Sequence, residues 1–256
     1  MKTKTLLPRC ALFVGLVVAN AAHAQVSTIN SARMSPREYN DVPGSSLTVV
    51  GNYSALIRFS DLGVSAPSGF ANRHVWRFSN NGGTTAYQFQ NNSFFQVSMT
   101  LTLTANSVSP RREAGFLFDT IGGQGQFIVN TDGHEIVAFG GPLPFYAFPS
   151  TYDSGETITL GMRYFSNNGT NSIIYSANGV NSPILPFTNL EQGIINNSTL
   201  GGYFQIVNAS GDPFNSGIAS FENIRIVPEP SMFALLSLGV LPLGLLLRRR
   251  GANPTL

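Results

Sequence analysis

The chain has 256 residues, one cysteine and a formal net charge of +2, a length that suits one large β domain or two small ones. Six of its basic residues lie near the termini, whereas residues 25–227 hold nine arginines, no lysine and twelve carboxylates, a net charge near −3. This central part lacks the clustered lysine and arginine that bind nucleic-acid phosphates, so no nucleic-acid partner is expected.

Residues 1–24 have the three parts of a secretory signal peptide. Residues 1–9 carry three positive charges, residues 11–19 are almost wholly apolar, and Ala22-His23-Ala24 has the small-x-small form that signal peptidase cleaves. Cleavage after Ala24 would make Gln25 the mature N-terminus and would remove Cys10, so we expect no disulfide and no cysteine metal site. An uncleaved membrane anchor is the alternative, but the apolar run is short for one.

The centre of the chain has the two-residue period of β-strands. Residues 25–51 lack a clear pattern and are predicted to be an N-terminal arm or a first edge strand. From Phe94 to Ala105 apolar and polar residues alternate without a slip, which predicts a half-buried antiparallel strand. No helical period separates the other predicted strands, which are Tyr53–Ser60, Arg73–Ser79, Thr85–Gln90, Gly115–Thr120, Gly125–Asn130, Glu135–Phe139, Thr157–Phe165, Asn171–Ser176, Gly201–Val207 and Gly217–Ile226.

Turn signals separate these runs and favour tight hairpins, because Asn and Gly tolerate positive φ. They are Asn81-Gly82, Asp132-Gly133, Asn168-Gly169 and Asn178-Gly179. In the last run Phe221 and Ile224 cannot share a face under strict alternation, so we expect a bulge near Glu222 or Asn223. Otherwise Phe221 packs on the opposite side. Regular strands with such turns predict an all-β antiparallel sandwich over residues 52–227.

The sequence pattern of residues 94–226 resembles that of a concanavalin-like lectin or laminin-G-type jelly roll. The resemblance depends on the Phe-x-Val-x-Met-x-Leu strand, on Gly125-Gln126-Phe127, and on the closing run of residues 219–226. It implies a jelly-roll sandwich, flanked here by the N-terminal signal helix and a C-terminal transmembrane helix.

No catalytic constellation stands out. Jelly-roll glycosidases place two carboxylates on one strand in a Glu-x-Asp-x-x-Glu motif, which is absent, and Glu113 and Asp119 on one strand would lie roughly 20 Å apart. Asp132 and Glu135 bracket a turn and could approach each other. His74 and His134 have no metal-ligand spacing, and no Gly-x-Ser-x-Gly elbow is present. We therefore expect no enzyme activity.

We also expect no resident cofactor, although calcium fits the predicted fold best. Hard cations take carboxylate and carbonyl oxygens from loops. Solvated turn residues explain the same acids equally well. The weak calcium candidates are Asp132, Glu135, Asp153 and Glu156.

An aromatic loop at residues 140–153 is the best candidate for ligand binding. Prolines stiffen it, and rigid aromatic faces suit the C–H face of a sugar ring. Its aromatic residues are Phe145, Tyr146, Phe148 and Tyr152, with Tyr146 and Tyr152 the strongest candidates. The alternative is that Phe145 and Phe148 fold back to cover one end of the sandwich.

The C-terminal region combines a short motif, an apolar helix and a basic cluster. Val227-Pro228-Glu229-Pro230 precedes an uncharged run of 16 residues, 232–247, and then Arg248, Arg249 and Arg250. Such a helix is only about 24 Å long, shorter than the roughly 30 Å of a hydrocarbon core. The arginines are expected to stay cytoplasmic, which leaves the β domain outside.

These three parts, in this order, resemble the PEP-CTERM sorting signal of Gram-negative bacteria. The resemblance covers residues 228–250, followed by a short tail at 251–256. It implies processing near the Pro-Glu-Pro motif by an exosortase, a membrane cysteine protease, after transient anchoring in the inner membrane. The mature protein would then reach the cell surface or an extracellular matrix.

Two functions remain open from the sequence. The first is a non-catalytic envelope or matrix protein that binds extracellular polysaccharide. The second is a hydrolase or lyase that degrades such a polysaccharide on a jelly-roll scaffold. A concave face with two carboxylates at hydrolytic spacing would favour the enzyme, whereas aromatic residues without such a pair would favour the binder.

Overall fold

The computed structural model describes residues 29–64, 70–90, 93–141, 143–187, 195–208 and 215–228. These residues form strands and turns and no helix. The strands are β1 (Ser31–Asn40), β2 (Ser46–Asn52), β3 (Leu56–Val64), β4 (Phe70–Ser79), β5 (Phe95–Ala105), β6 (Arg112–Thr120), β7 (Gly123–Asn130), β8 (Ile136–Gly140), β9 (Tyr146–Ala147), β10 (Thr157–Asn167), β11 (Thr170–Ala177), β12 (Val180–Asn181), β13 (Leu185–Pro186), β14 (Thr199–Asn208) and β15 (Asn215–Pro228).

The strands pair antiparallel in two sheets. The 7-stranded sheet has the order β1-β4-β14-β6-β7-β8-β9. The 8-stranded sheet has the order β12-β11-β10-β5-β15-β3-β2, with β13 beside β11. Neighbours such as β4 and β14 are far apart in the chain, as the crossovers of a jelly roll require. The predicted all-β antiparallel sandwich is therefore confirmed.

The core lies between the two sheets and is rich in aromatic residues. Trp76 on β4 makes edge-to-face contacts with Phe78, at a ring-centroid distance of 5.2 Å, and with Phe221 of the other sheet, at 5.9 Å. Gly202 on β14 leaves room for this indole, because a Cβ there would lie 2.5 Å from the Trp76 Nε1. Burial of each such side chain is worth about 1.5–3 kcal/mol.

The N-terminal segment belongs to the sandwich. β1 pairs with β4 at the edge of one sheet, and β2 pairs with β3 at the edge of the other. Of the two predictions for residues 25–51, the edge strand is therefore the better one. The predicted start of the sandwich at residue 52 is too late, because it excludes β1 and nearly all of β2. The sequence could not give the bounds of β1 and β2, because most of their side chains are exposed or half-buried.

The strongest sequence signals are reproduced. β5 has its odd-numbered residues from Phe95 to Leu103 buried, as the alternation predicts. Asn168-Gly169 and Asn178-Gly179 both have positive φ at their two residues and close hairpins. At Asp132-Gly133 the positive φ falls instead on His134. The predicted strand Thr85–Gln90 is wrong, since only an isolated bridge from Phe89 to Ser198 forms there.

The predicted bulge in the last strand is confirmed. The register of β15 against β5 shifts between Glu222 and Arg225, and Asn223 has a φ of 51°. The shift lets both Phe221 and Ile224 reach the core.

Both predicted targeting segments lie outside the described residues, including Ala22, Ala24 and Gln25 at one end and Glu229, Pro230 and Arg248–Arg250 at the other. Val227 and Pro228 are the last residues of β15, where they pair with Gln96 and Phe95. Within the described part of the chain, no helix is long and apolar enough to span a membrane.

Candidate functional site

The face of the 7-stranded sheet that points away from the core carries its own apolar row. Tyr203 pairs with Val75 on one side and Gly115 on the other, and the row continues to Ile128 and Val137. The four side chains of this row are buried and form a cluster separate from the main core. We call this side of the sheet the outer face.

Five polar side chains form a closed ring on the outer face, which we call the polar ring. The Arg77 Nη2 donates to Glu38 Oε1 at 2.7 Å and to Asp119 Oδ2 at 2.5 Å. The Gln124 Nε2 donates to Asp119 Oδ1 at 2.7 Å, and the Arg73 Nη1 donates to Gln124 Oε1 at 2.8 Å. A looser contact of 3.4 Å between Arg73 Nε and Glu38 Oε2 closes the ring. Strands β1, β4, β6 and β7 contribute to it.

Arg73 is the least satisfied member of the polar ring. Its residue is only 3% exposed, yet its Nε and Nη2 have no hydrogen-bond partner among the described residues. The guanidinium lies over the rings of Tyr39 and Tyr203, at 5.1 and 5.4 Å from their centroids. Buried donors without partners are costly, so an anionic ligand that accepts both of them would be stabilised. These two donors have the chemistry that a carboxylate accepts, and we call the Arg73 guanidinium the carboxylate receptor.

Tyr203 lies beside the Arg73 guanidinium. It is fully buried, and its hydroxyl has no hydrogen-bond partner among the described residues. Burial is the main reason that the pKa of Tyr203 is raised well above 10, and the charge of Glu113 adds to it, while Arg73 and Arg111 act in the opposite direction. The phenol therefore keeps its proton at neutral pH.

The polar ring brings together a carboxylate pair that the sequence did not reveal. Glu38 and Asp119 share one arginine nitrogen, which puts their carboxylates no farther apart than the spacing of about 5–5.5 Å in retaining glycosidases. The pKa of Arg77 between them is raised, because the two carboxylate charges outweigh the effect of its burial. Both carboxylates are therefore bound to the same guanidinium.

The predicted aromatic loop largely folds back onto the sandwich. Tyr152 is 1% exposed, and its hydroxyl accepts from the Leu103 N–H at 2.7 Å and donates to the Glu156 carbonyl at 2.7 Å. Phe148 is also buried, with its ring stacked on a core phenylalanine. The prediction that Tyr152 and Phe148 contact a ligand is therefore wrong, because their surfaces are already used in packing.

The two other aromatic residues of that loop remain accessible. Tyr146 is half-buried and makes an edge-to-face contact with Phe148, with centroids 4.9 Å apart. Phe145 is 69% exposed. A ligand contact by Tyr146 and Phe145 stays a prediction.

We expect Tyr152→Phe to destabilise the fold by about 1–3 kcal/mol at neutral pH, since it leaves buried main-chain groups without their partner. Burial, above all, raises the pKa of Tyr152 from 10 to about 12. A raised pKa in the folded state means that the stability it contributes is complete below about pH 10 and is lost as the pH rises towards 12. Urea unfolding at neutral and alkaline pH measures both effects. Tyr87→Phe is the control, because the buried Tyr87 hydroxyl has no hydrogen-bond partner in the described part of the chain. An equal loss in both variants would contradict the prediction.

The acids predicted as weak calcium ligands divide between two groups. Asp132 and Glu135 lie 3.5 and 3.9 Å from Arg111, whereas Asp153 lies 2.7 Å from His134. In the described ranges, no three potential metal ligands come together as an ion would require. The candidates Asp132, Glu135, Asp153 and Glu156 therefore do not form one site.

The two histidines lie away from the outer face's polar ring. His74 is buried in the sandwich, where its Nε2 is 2.9 Å from Asp61 Oδ2 and its Nδ1 accepts from the Arg37 N–H at 3.0 Å. His134 belongs to the loop between β7 and β8. Neither contributes to the carboxylate receptor.

Sequence reasoning missed every member of the polar ring. One signal was present: Arg73, Val75 and Arg77 alternate on β4, so both arginines share one face of a strand. The acidic partners come from other strands and carried no comparable signal.

No protein-family model and no curated relative matches this sequence. Similar solved structures include an alginate lyase from Pseudomonas aeruginosa, 15% identical with a TM-score of 0.54, covering 71% of this chain and 86% of that one. They also include an alginate lyase from Corynebacterium sp., 14% identical with a TM-score of 0.49, covering 80% of this chain and 96% of that one. A glycoside hydrolase family 16 endo-glucanase from Bacteroides ovatus is 8% identical with a TM-score of 0.47, covering 81% of this chain and 97% of that one. At 15% identity the first match shows a shared jelly-roll fold.

The Pseudomonas aeruginosa structure is that of an alginate lyase, a polysaccharide-degrading enzyme. The predictions of a non-catalytic matrix protein and of no enzyme activity are contradicted by this match and are replaced. The alternative, a polysaccharide-degrading hydrolase or lyase on a jelly-roll scaffold, agrees better with it. The resemblance of the tail to a PEP-CTERM signal stays a prediction.

Proposed function

We propose that this protein is an exported enzyme that cleaves an acidic polysaccharide by β-elimination at the outer face of the 7-stranded sheet. The observation that carries the proposal is the buried Arg73 guanidinium, with two donors unmet, between Tyr39 and Tyr203. The alginate lyases among the similar structures act on such a polymer, which supports the substrate class.

The proposed elimination needs three groups. Arg73 would pair with the carboxylate of a uronate residue, which makes the proton on the adjacent carbon more acidic. A base removes that proton. The electron pair of the broken carbon–hydrogen bond forms a carbon–carbon double bond, and the glycosidic carbon–oxygen bond breaks. Tyr203 gives its proton to the departing oxygen, and the proposed base is the phenolate form of Tyr39, which is half exposed and in contact with Arg73.

Hydrolysis is the less suitable reaction for this set of side chains. Glycosidases need one protonated carboxyl group to act as the general acid. Both members of the carboxylate pair on the polar ring accept hydrogen bonds, Glu38 from Arg77 and Asp119 from Arg77 and Gln124, and neither donates one there. In the proposed elimination Tyr203 gives the proton to the departing oxygen, so no protonated carboxyl group is needed.

The targeting segments support an extracellular site of action. The signal peptide at residues 1–24 would send the chain to signal peptidase and out of the cytoplasm. The tail at residues 228–250 would hold it briefly in the inner membrane until an exosortase processes it near Pro228-Glu229-Pro230. A polysaccharide outside the cell would then be within reach of the β domain.

The test is to incubate the purified protein with a polyuronate and, separately, with a neutral glucan. We expect cleavage of the polyuronate only, with ultraviolet absorbance from the unsaturated sugar end. Tyr203→Phe should lower the rate by about 10²–10⁴-fold, since it removes the proton donor. Tyr87→Phe makes the same chemical change in the main core and should keep the wild-type rate.

Two results would contradict the proposal. New reducing ends without ultraviolet absorbance would identify a hydrolase. No cleavage of either polymer by the wild-type protein would remove the case for an enzyme of this class.

A further inference from the structure

The carboxylate receptor already holds a carboxylate of the protein itself. Glu38 contacts Arg73 Nε at 3.4 Å through one oxygen and accepts from Arg77 Nη2 at 2.7 Å through the other. Its side chain is 25% exposed, whereas that of Arg73 is almost fully covered. A ligand that binds Arg73 must therefore displace Glu38.

A distortion of the edge strand β1 places Glu38 in this position. The register of β1 against β4 shifts between Ser35 and Tyr39, and Arg37 has a φ of 56°. The Arg37 guanidinium is anchored by the Asn40 side chain and by the carbonyl oxygens of Val42 and Ser45. As a result Glu38 and its neighbour Tyr39 both contact Arg73 on the outer face.

Glu38 is held less firmly than the other carboxylate of the polar ring. Asp119 accepts from both Nε and Nη2 of Arg77 and from Gln124. Glu38 accepts one hydrogen bond from an arginine, and its contact with Arg73 lacks hydrogen-bond geometry. It also belongs to an edge strand with one neighbour, β4. Glu38 is therefore the member of the ring that a ligand can replace.

We infer that Glu38 determines the specificity of the outer face by occupying the carboxylate position until a ligand carboxylate replaces it. This inference rests on the proposed function and names the residue that selects its substrate. A uronate exchanges one carboxylate for another on Arg73, so the buried charge stays paired. A neutral sugar that displaced Glu38 would leave the guanidinium buried and unpaired, which is strongly unfavourable.

The test compares binding of an oligouronate and of a neutral oligosaccharide of equal length by calorimetry. Glu38→Gln keeps the shape of the side chain and removes the competing charge. We expect about fivefold tighter binding of the oligouronate by this variant, the effect of one partly exposed ion pair. The neutral oligosaccharide should gain little, because Arg73 keeps its charge.

Glu222→Gln is the matched control, since it changes the net charge equally from the 8-stranded sheet. Equal tightening in both variants would mean that net charge alone acts, and would overturn the inference. Unchanged or weaker oligouronate binding by Glu38→Gln would overturn it too, as would no binding by any variant. Thermal unfolding of each variant confirms that the fold is intact.

Activity measured on the same samples separates the two proposals. If the wild-type protein forms unsaturated product but Glu38→Gln binds no tighter, only the role of Glu38 fails. If Glu38→Gln binds the oligouronate more tightly but neither protein forms product, the proposed elimination is wrong. The proposal that Glu38 occupies the carboxylate receptor is then still supported.

Discussion

Arg73→Ala is expected to lower the rate of polyuronate cleavage by about 10²–10³-fold, the effect of removing one donor aimed at charge that develops in the transition state. Arg73 supplies two unmet donors on a buried guanidinium, and none of the other described side chains of the polar ring has buried donors without partners. Without it, the negative charge that forms as the proton leaves has no counter-charge. The loss should therefore fall mainly on the rate of the chemical step.

Arg73→Lys should recover a small part of the rate, because an ammonium keeps the charge but cannot bind a carboxylate through two parallel donors. Arg58→Ala is the control, since Arg58 lies on β3 and donates to Ser220 of the other sheet. Arg73→Ala should affect the free energy of unfolding less than it affects the cleavage rate, because the substitution also removes two buried donors that have no partners among the described residues. A variant that stays folded and fully active would contradict the role of Arg73.

Arg112→Ala should cost about 3–5 kcal/mol of folding free energy, a large fraction of the roughly 5–15 kcal/mol that stabilises a typical protein. Arg112 is fully buried, and its guanidinium donates to acceptors on two segments of the chain, the β5–β6 connection and the start of β15. Those acceptors are the Ser107, Pro110 and Ser216 carbonyl oxygens and the side-chain oxygens of Asn106 and Asn215. The alanine variant leaves these oxygens unpaired beside a cavity.

Urea unfolding measures the effect of Arg112→Ala, with Arg225→Ala as the control. Arg225 is exposed on β15, and its removal should change the free energy of unfolding by about 0.5 kcal/mol or less. If Arg112→Ala were as stable as Arg225→Ala, the guanidinium would not hold the β5–β6 connection to the start of β15.

The regular parts of the fold could be predicted from the sequence because their signals are local. The strict alternation of β5 reports one buried and one solvated face, and the tight turns at Asn168-Gly169 and Asn178-Gly179 need residues that tolerate positive φ. Even the bulge at Glu222 and Asn223 follows from the spacing of Phe221 and Ile224. Each prediction used residues within a few positions of one another.

The edge strands and the aromatic loop could not be read in the same way. β1 and β2 bury little, so their sequences carry no clear period. For the aromatic loop, composition indicated either a ligand contact or a cover made by Phe145 and Phe148. Phe148 covers the sandwich whereas Phe145 is exposed, and Tyr152 is buried because its hydroxyl binds the main-chain groups of Leu103 and Glu156.

The candidate site was decided by tertiary structure alone. Composition and the two terminal segments indicated a slightly acidic, exported β-sandwich, and the search for carboxylates on a single strand suggested no catalysis. Glu38, Arg73 and Asp119 come from β1, β4 and β6, which are adjacent or near in the sheet but distant in the chain. Their hydrogen bonds and the unmet donors of Arg73 exist only because a jelly roll interleaves distant strands. A local sequence pattern has no means to encode that pairing.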